Sequence, residues 1–368
     1  MKKTILYIID SLERGGAEIM LVSPLAEIHK EYNIIIVTLT PGNDFAEEEL
    51  CCDKIYCLNM RSKMKILSAV RLLKRIIKDH HVALVHSFLY WSSILARLAI
   101  GKKIPYIFSL ATVMSSGVYK LKWYSGYTLL LDRHTFKKNY FIISPTELVL
   151  QDFIKSTGVK ARQKVLPNFV RQQFFNNEVD HFTGLNSLKL VAVGNLKDVK
   201  NYQLLVDAFK LLHDYDVSLD IYGEGPERQS LQNQITEYGL PIALKGSHGK
   251  IYEVLPHYDA YVMCSYIEGF GISAAEAMAT GLPSILSDLK VLREISHGNA
   301  LFFDPFNPES FAAIIKDIFD KNINLSGISA KAKEIAKDNY TKEKYLKGLF
   351  EVYDEVTNVV GVNDLSIN

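Results

Sequence analysis

A rhythm that runs twice along this chain constrains it more than any other feature. Apolar stretches with strand character alternate with stretches of helical period in the first half, and the alternation restarts near residue 189. Strands are read at 4–9, 33–38, 83–86, 104–108 and 140–144, then at 189–193, 217–222, 242–245, 260–264 and 283–286. Helices are read at 17–29, 66–78, 202–213 and 227–238, and helical character returns from 309 to about 356. Such alternation builds doubly wound α/β sheets, and 368 residues exceed what one core usually holds, so two α/β domains are expected. The polar, aperiodic segment 170–187 is read as their junction, and a crevice between the two domains as the default place for a ligand.

An apolar content of 48% and a mean hydropathy of +0.05 fit a soluble globular protein. No long uncharged apolar run reads as a membrane span, and the opening Met-Lys-Lys leads straight into a strand, leaving no room for a signal peptide. The four cysteines, with Cys51 beside Cys52, have neither zinc-ligand spacing nor the density of a secreted scaffold. A cytoplasmic protein with free thiols is therefore expected.

The net charge of +1 conceals a division: residues 1–166 hold 24 Lys and Arg against 14 Asp and Glu, and the remainder is correspondingly acidic. One basic group, Arg61, Lys63, Lys65, Arg71, Lys74, Arg75 and Lys78, shares a helical pattern with apolar residues. A second, Lys120, Lys122, Arg133, Lys137 and Lys138, is mixed with Tyr119, Trp123, Tyr124, Tyr127 and Tyr140. Both suit an anionic membrane surface, but packed helices with a solvated basic face are common and are the commoner reading of such a pattern. No motif supports nucleic acid as a partner.

The stretch from Glu268 through Gly269, Phe270, Gly271 and Ile272 to Glu276 joins two carboxylates through a glycine loop and a helix start, just after the apolar run 260–264. The glycines permit close backbone approach, Ser273 is read as the helix cap, and free helix amides suit a phosphate. Glu276 stands among Ala274, Ala275, Ala277 and Ala279, where an unpaired carboxylate is costly and a ribose diol is one candidate partner. An ordinary βα unit has the same composition, so the residues alone leave both readings open.

Four further segments follow strands. Gly15 and Gly16 open a helix after the first strand; Gly194 and Asn195 lead to Lys200, a candidate phosphate counter-charge; Gly223 begins a Gly-Glu-Gly-Pro turn; His86 lies at the end of its strand. Each has a plain structural alternative: a flexible turn, a surface lysine, an acid-rich helix start, a buried hydrogen bond. No grouping has credible metal-ligand spacing.

Taken in order, these marks resemble the retaining glycosyltransferases of the GT-B fold, specifically glycosyltransferase family 4. The marks are Gly15-Gly16, Leu166-Pro167-Asn168, Val193-Gly194-Asn195 with Lys200, Gly223-Glu-Gly-Pro226, and Glu268 eight positions before Glu276. The resemblance implies an N-terminal acceptor-binding domain over 1–170, joined by a C-terminal crossover helix at about 343–358, and a nucleotide-sugar domain over 187–340. It implies that Gly15 and Gly16 face the donor diphosphate, that Lys200 neutralises it beside Asn195 and Gly223, that Glu268 contacts the transferred sugar, that the amides of 269–272 line its path, and that Glu276 holds the ribose. It also implies no bound metal and no cofactor. Asn195 stands where the family commonly has arginine, with Arg14 as a possible substitute, and Ser109 where it often has histidine, so that histidine is either absent here or replaced by His86.

The expected activity is transfer of a sugar, with retention, from a nucleotide-diphosphate donor to a glycan hydroxyl. A lipid-linked acceptor in cell-envelope polysaccharide assembly is favoured, with the enzyme at the inner membrane face. The rivals are a catalytically silent nucleotide-sugar sensor and a nucleotide-sugar epimerase.

Overall fold

The computed structural model describes residues 2–60, 65–101, 104–113, 126–176 and 187–363. Arg61, Lys63, Tyr119, Lys120, Lys122, Trp123 and Tyr124 of the two basic groups lie outside the described residues, as do 177–186 of the expected junction. The chain divides into two compact units, Met1–Asn168 with Glu343–Asn368, and Phe169–Lys342.

The first unit carries seven parallel strands: β1 (Thr4–Ile9), β2 (Asn33–Thr38), β3 (Lys54–Cys57), β4 (Val82–Phe88), β5 (Tyr106–Ser109), β6 (Phe141–Ser144) and β7 (Arg162–Val165). Their order is β3-β2-β1-β4-β5-β6-β7, so the winding reverses direction between β1 and β4. Ile5 pairs with Ile34 on one side and Leu84 on the other, and Ile5, Leu6 and Ile8 are fully buried, as central strands covered on both faces must be. The helix expected over 17–29 is two, Gly16–Val22 and Leu25–Ile28, because Pro24 has no N–H to continue the first.

From Glu343 onward the last helix packs in this unit. The Tyr353 hydroxyl lies 2.6 Å from that of Tyr7, Phe350 stacks on Tyr32, and Lys164 pairs with Glu351 at 2.7 Å.

The second unit carries six parallel strands: β8 (Leu188–Val193), β9 (Val217–Tyr222), β10 (Ile242–Gly246), β11 (Ala260–Met263), β12 (Ser284–Ser287) and β13 (Leu301–Phe303). Their order is β10-β9-β8-β11-β12-β13, with the reversal between β8 and β11. A core of Leu190, Leu205, Leu219, Ala260, Ile285 and Phe311 fills the space beneath the helices. Among the described residues no helix is long and apolar enough to cross a membrane, and all four cysteines are unpaired.

Candidate functional site

In open α/β sheets the crevice at the reversal of strand order, outside the carboxyl ends of the strands, is left uncovered by crossover helices. In the second unit that place is the end of β8 and β11, and the loops leaving these two strands carry Lys200 and Glu268. Lys200 Nζ donates to Glu268 Oε1 at 2.6 Å, and Ser265 Oγ donates to the same oxygen at 2.8 Å. The lysine is held from behind, since Cys264 Sγ donates to the Lys200 carbonyl at 3.0 Å. Both charged side chains keep some exposure, 25% for Lys200 and 11% for Glu268, so the pair borders solvent and a ligand can reach it.

The turn after Glu268 is shaped by packing. Phe270 is buried with its ring edge-on to Tyr340, and Gly271 has φ +81° with Leu292 Cδ2 only 2.9 Å from where a Cβ would stand. Glycine is required there on both counts. Gly271, not Ser273, caps the helix Ile272–Thr280, without a side-chain hydrogen bond. Ser273 lies inside the first turn, and its Oγ accepts the Tyr261 hydroxyl at 2.7 Å. The cap expected of Ser273 is thus withdrawn by a tyrosine from the adjacent strand, and no side chain takes the place Ser273 was expected to fill at the helix start.

Glu276 is one turn further along this helix. Its neighbours Ala274, Ala275, Ala277 and Ala279 are fully buried, and its own side chain is 12% exposed. Burial pushes its carboxyl up to about 7, against the opposing pull of Arg171, whose Nη2 stands 3.7 Å from Oε1. Arg171 was missed in the sequence because it sits in the polar segment read as a linker, with no local pattern pointing to Glu276. Tyr261 was missed because its strand reads only as apolar.

The loops after β8, β9 and β10 are laced together by glycines. A Cβ on Gly223 would stand 1.9 Å from the Gly194 carbonyl oxygen, and one on Gly225 2.3 Å from that of Leu196. Gly223 N donates to Gly246 O at 2.9 Å. Close backbone approach therefore accounts for Gly223 and Gly225 without a ligand. Asn195 is exposed, and Leu196 beside it is fixed by its N–H to Glu224 O at 2.9 Å.

In the first unit, Gly15 caps the short helix Gly16–Val22, with Gly16 exposed. The loop is ringed by acids. Glu18 is buried and its carboxyl is raised by desolvation, with Asp10 and Glu13 adding to the rise. Arg14 does not stand free beside the glycines: its Nη2 donates to Glu49 at 2.6 Å and its N–H to Asp44 at 3.0 Å.

His86 has no exposed surface. One ring nitrogen lies 2.9 Å from the Tyr353 hydroxyl and the other 2.8 Å from Ser109 Oγ, and desolvation lowers its pKa to about 3. The substrate-facing role expected for His86 is corrected by this burial; of the two readings its strand position allowed, the geometry is that of the structural hydrogen bond. Among the described residues no three His, Cys, Asp or Glu side chains gather to hold a metal ion.

Residues 14–174 match the model of Glycosyltransferase Family 4, and residues 175–355 that of the group 1 glycosyl transferases. The chain is a glycosyltransferase of the group 1/family 4 type. This glycosyltransferase is 27% identical over 284 residues to mannosylfructose-phosphate synthase of Agrobacterium fabrum, a match covering 66% of the chain and 61% of that enzyme. It is 25% identical over 308 residues to an uncharacterized glycosyltransferase of Methanocaldococcus jannaschii, covering 80% of the chain and 81% of the relative. The match thus spans less than two thirds of the first of these relatives. Among solved structures, HepE of Anabaena in complex with UDP superposes with a TM-score of 0.81 at 18% identity, covering 96% of the chain and all of HepE. The fold of the glycosyltransferase is GT-B.

Proposed function

We propose that the protein is a retaining glycosyltransferase that moves a sugar from a nucleotide-diphosphate donor to a hydroxyl of a glycan acceptor. The observation that carries this reading is the Lys200–Glu268 pair at the strand-order reversal of the second unit, beside a helix start whose cap uses no side chain. The helix amides and Lys200 take the diphosphate, Glu268 takes the sugar hydroxyls, and Glu276 takes the ribose. HepE, whose fold this chain shares, is described in complex with UDP, which supports a nucleotide donor.

Catalysis in this reading is electrostatic. As the glycosidic bond to the diphosphate breaks, negative charge builds on the leaving oxygen, and Lys200 with the amides at the start of the helix Ile272–Thr280 stabilises that charge more than the ground state. Glu268 positions the sugar and holds Lys200 in place. Retention follows if the acceptor enters on the face the diphosphate leaves. No metal or cofactor is invoked, and the residues named supply the positive charge themselves.

The first unit is given the acceptor. Its helix Ile66–Asp79 buries Ala69, Leu73, Ile76 and Ile77 and leaves Arg71, Lys74, Arg75 and Lys78 exposed, with Leu67 70% exposed at the same end as Lys65. Cations around a bare leucine favour an acceptor anchored in an anionic lipid surface, hence a lipid-linked glycan of envelope polysaccharide assembly.

Incubation with UDP-, GDP- and ADP-sugars and lipid-linked acceptors, with the product's anomeric configuration read by NMR, tests the reading. A glycoside of the donor's own configuration is expected. An inverted product overturns retention. Binding without turnover returns the sensor reading, for which exposed Asn195 in place of a cation is the argument, and a changed sugar without transfer returns the epimerase.

A further inference from the structure

Arg171 is close to Glu276, yet it does not use up that carboxylate. At 3.7 Å the pair is an ion pair beyond good hydrogen-bond length. The guanidinium carbon lies 5.2 Å over the centroid of the Phe174 ring, and Nε is buried without a hydrogen bond. The ring therefore fixes the plane from one side while Nη2 is directed at Glu276. Among the described residues the Glu276 carboxylate accepts no hydrogen bond of ordinary length, and neither of its oxygens is sealed from solvent without a partner.

This arrangement solves a specific problem. A carboxylate set among four buried alanines tends to take up a proton, and a protonated carboxyl offers one acceptor oxygen and one donor where a vicinal diol needs two acceptors. A tight two-point salt bridge would keep it charged but occupy its lone pairs. A cation at 3.7 Å supplies the charge and leaves both oxygens open.

We propose that Arg171 is a donor-positioning residue: it opposes protonation of the buried Glu276 carboxyl and leaves both of its oxygens free to accept the ribose hydroxyls of the nucleotide. The proposal rests on the reading of Glu276 as the ribose residue and assigns the selectivity of that site to a side chain from outside the helix. The bland alternative is that Arg171 only ties the segment after residue 168 to the second unit.

Calorimetric titration of the full chain with UDP against 2′-deoxy-UDP, and with the corresponding GDP and ADP pairs, separates these. Wild type is expected to favour the ribose form of the bound nucleotide by about tenfold or more. Glu276→Gln and Arg171→Gln are each expected to reduce that preference below about threefold, and Arg171→Lys to restore most of it. Arg171→Met, which keeps an apolar stem against Phe174, replaces Arg171→Gln if the latter does not fold. If Glu276→Gln loses the preference while the uncharged Arg171 variants keep it, Arg171 is structural and the proposal falls, with the Glu276 reading intact. If Glu276→Gln keeps the preference, or wild type never shows one, the ribose reading falls and the proposal with it.

Discussion

Lys200 and Glu268, which leave two different strands, meet at 2.6 Å where the strand order of the second sheet reverses. Ser265, in the same loop as Glu268, fixes the carboxylate, and Cys264 of that loop fixes the lysine backbone from the other strand, so the pair is held before any ligand arrives.

Removing the lysine should therefore cost more in turnover than in folding. Lys200→Ala is expected to lower transfer by roughly 10²–10³-fold, as loss of one charge-stabilising donor does elsewhere, with the melting temperature little changed. An activity within about threefold of wild type in a steady-state transfer assay would remove Lys200 from the mechanism.

Glu276 couples stability and binding to pH in opposite directions. Its carboxyl is raised from 4.5 to about 7 in the fold, so between these values the native state holds a proton that the unfolded chain has released. Stability from this group is present below about pH 4.5 and is lost as pH rises through 7, by up to ~3 kcal/mol. Glu276→Gln should consequently melt higher than wild type at pH 8, while nucleotide affinity, which needs the ionised form, rises through pH 7 in wild type alone. Urea titrations and calorimetry at pH 5, 6.5 and 8 check both halves.

His86 should stay neutral throughout the physiological range. With its pKa lowered from 6.5 to about 3, its contribution to stability is intact above 6.5 and drains away as acid protonates the unfolded chain first. A His86 imidazole signal, assigned by its loss in His86→Phe, that titrates between pH 5 and 8 by NMR would contradict the buried geometry. His86→Phe is expected to cost about 1–3 kcal/mol by stranding the Ser109 hydroxyl, since Tyr353 keeps its hydrogen bond to Tyr7.

Arg97 and Asp132 form an ion pair of 2.6 Å with no exposed side-chain surface, and Arg97 Nε and Nη1 find no further partner. Breaking the pair from one side leaves a buried charge. Asp132→Asn should destabilise by ~3–5 kcal/mol, whereas the joint Arg97→Met, Asp132→Leu variant should recover most of that loss. Chemical denaturation of the three proteins decides it.

Contact with lipid rests on the cationic helix. Lys74→Glu, Arg75→Glu and Lys78→Glu together should abolish sedimentation with vesicles containing anionic lipid and leave nucleotide affinity unchanged. Binding of wild type that is indifferent to the anionic fraction, or to 0.5 M salt, would argue for a solvated face.

How much of this was legible in the chain depended on burial. Strands β1, β2 and β9 were read to the residue because continuous apolar or alternating runs report directly which faces are covered. Strands β3, β7 and β13 were not read. Each lies at an edge of its sheet and is only partly buried, so Lys54–Cys57 or Arg162–Val165 carries no apolar pattern to detect. The same reason hid Pro24's break: the apolar period continues through it and only the missing N–H stops the helix.

The sequence by itself determined the two α/β units, the glycine loops and the placing of Glu268 and Glu276 at the end of a strand and the start of a helix, because those follow from period, backbone freedom and short-range spacing. Only the tertiary structure decided what these groups face. It turned Tyr261 onto Ser273, closed His86 inside the first unit, drew Arg14 to Asp44 and Glu49, and set Arg171 beside Glu276. Each of these is a pairing between elements distant in the chain, fixed by the need to satisfy a buried polar or charged group with whatever partner the packing brings within reach, and no local pattern encodes that choice.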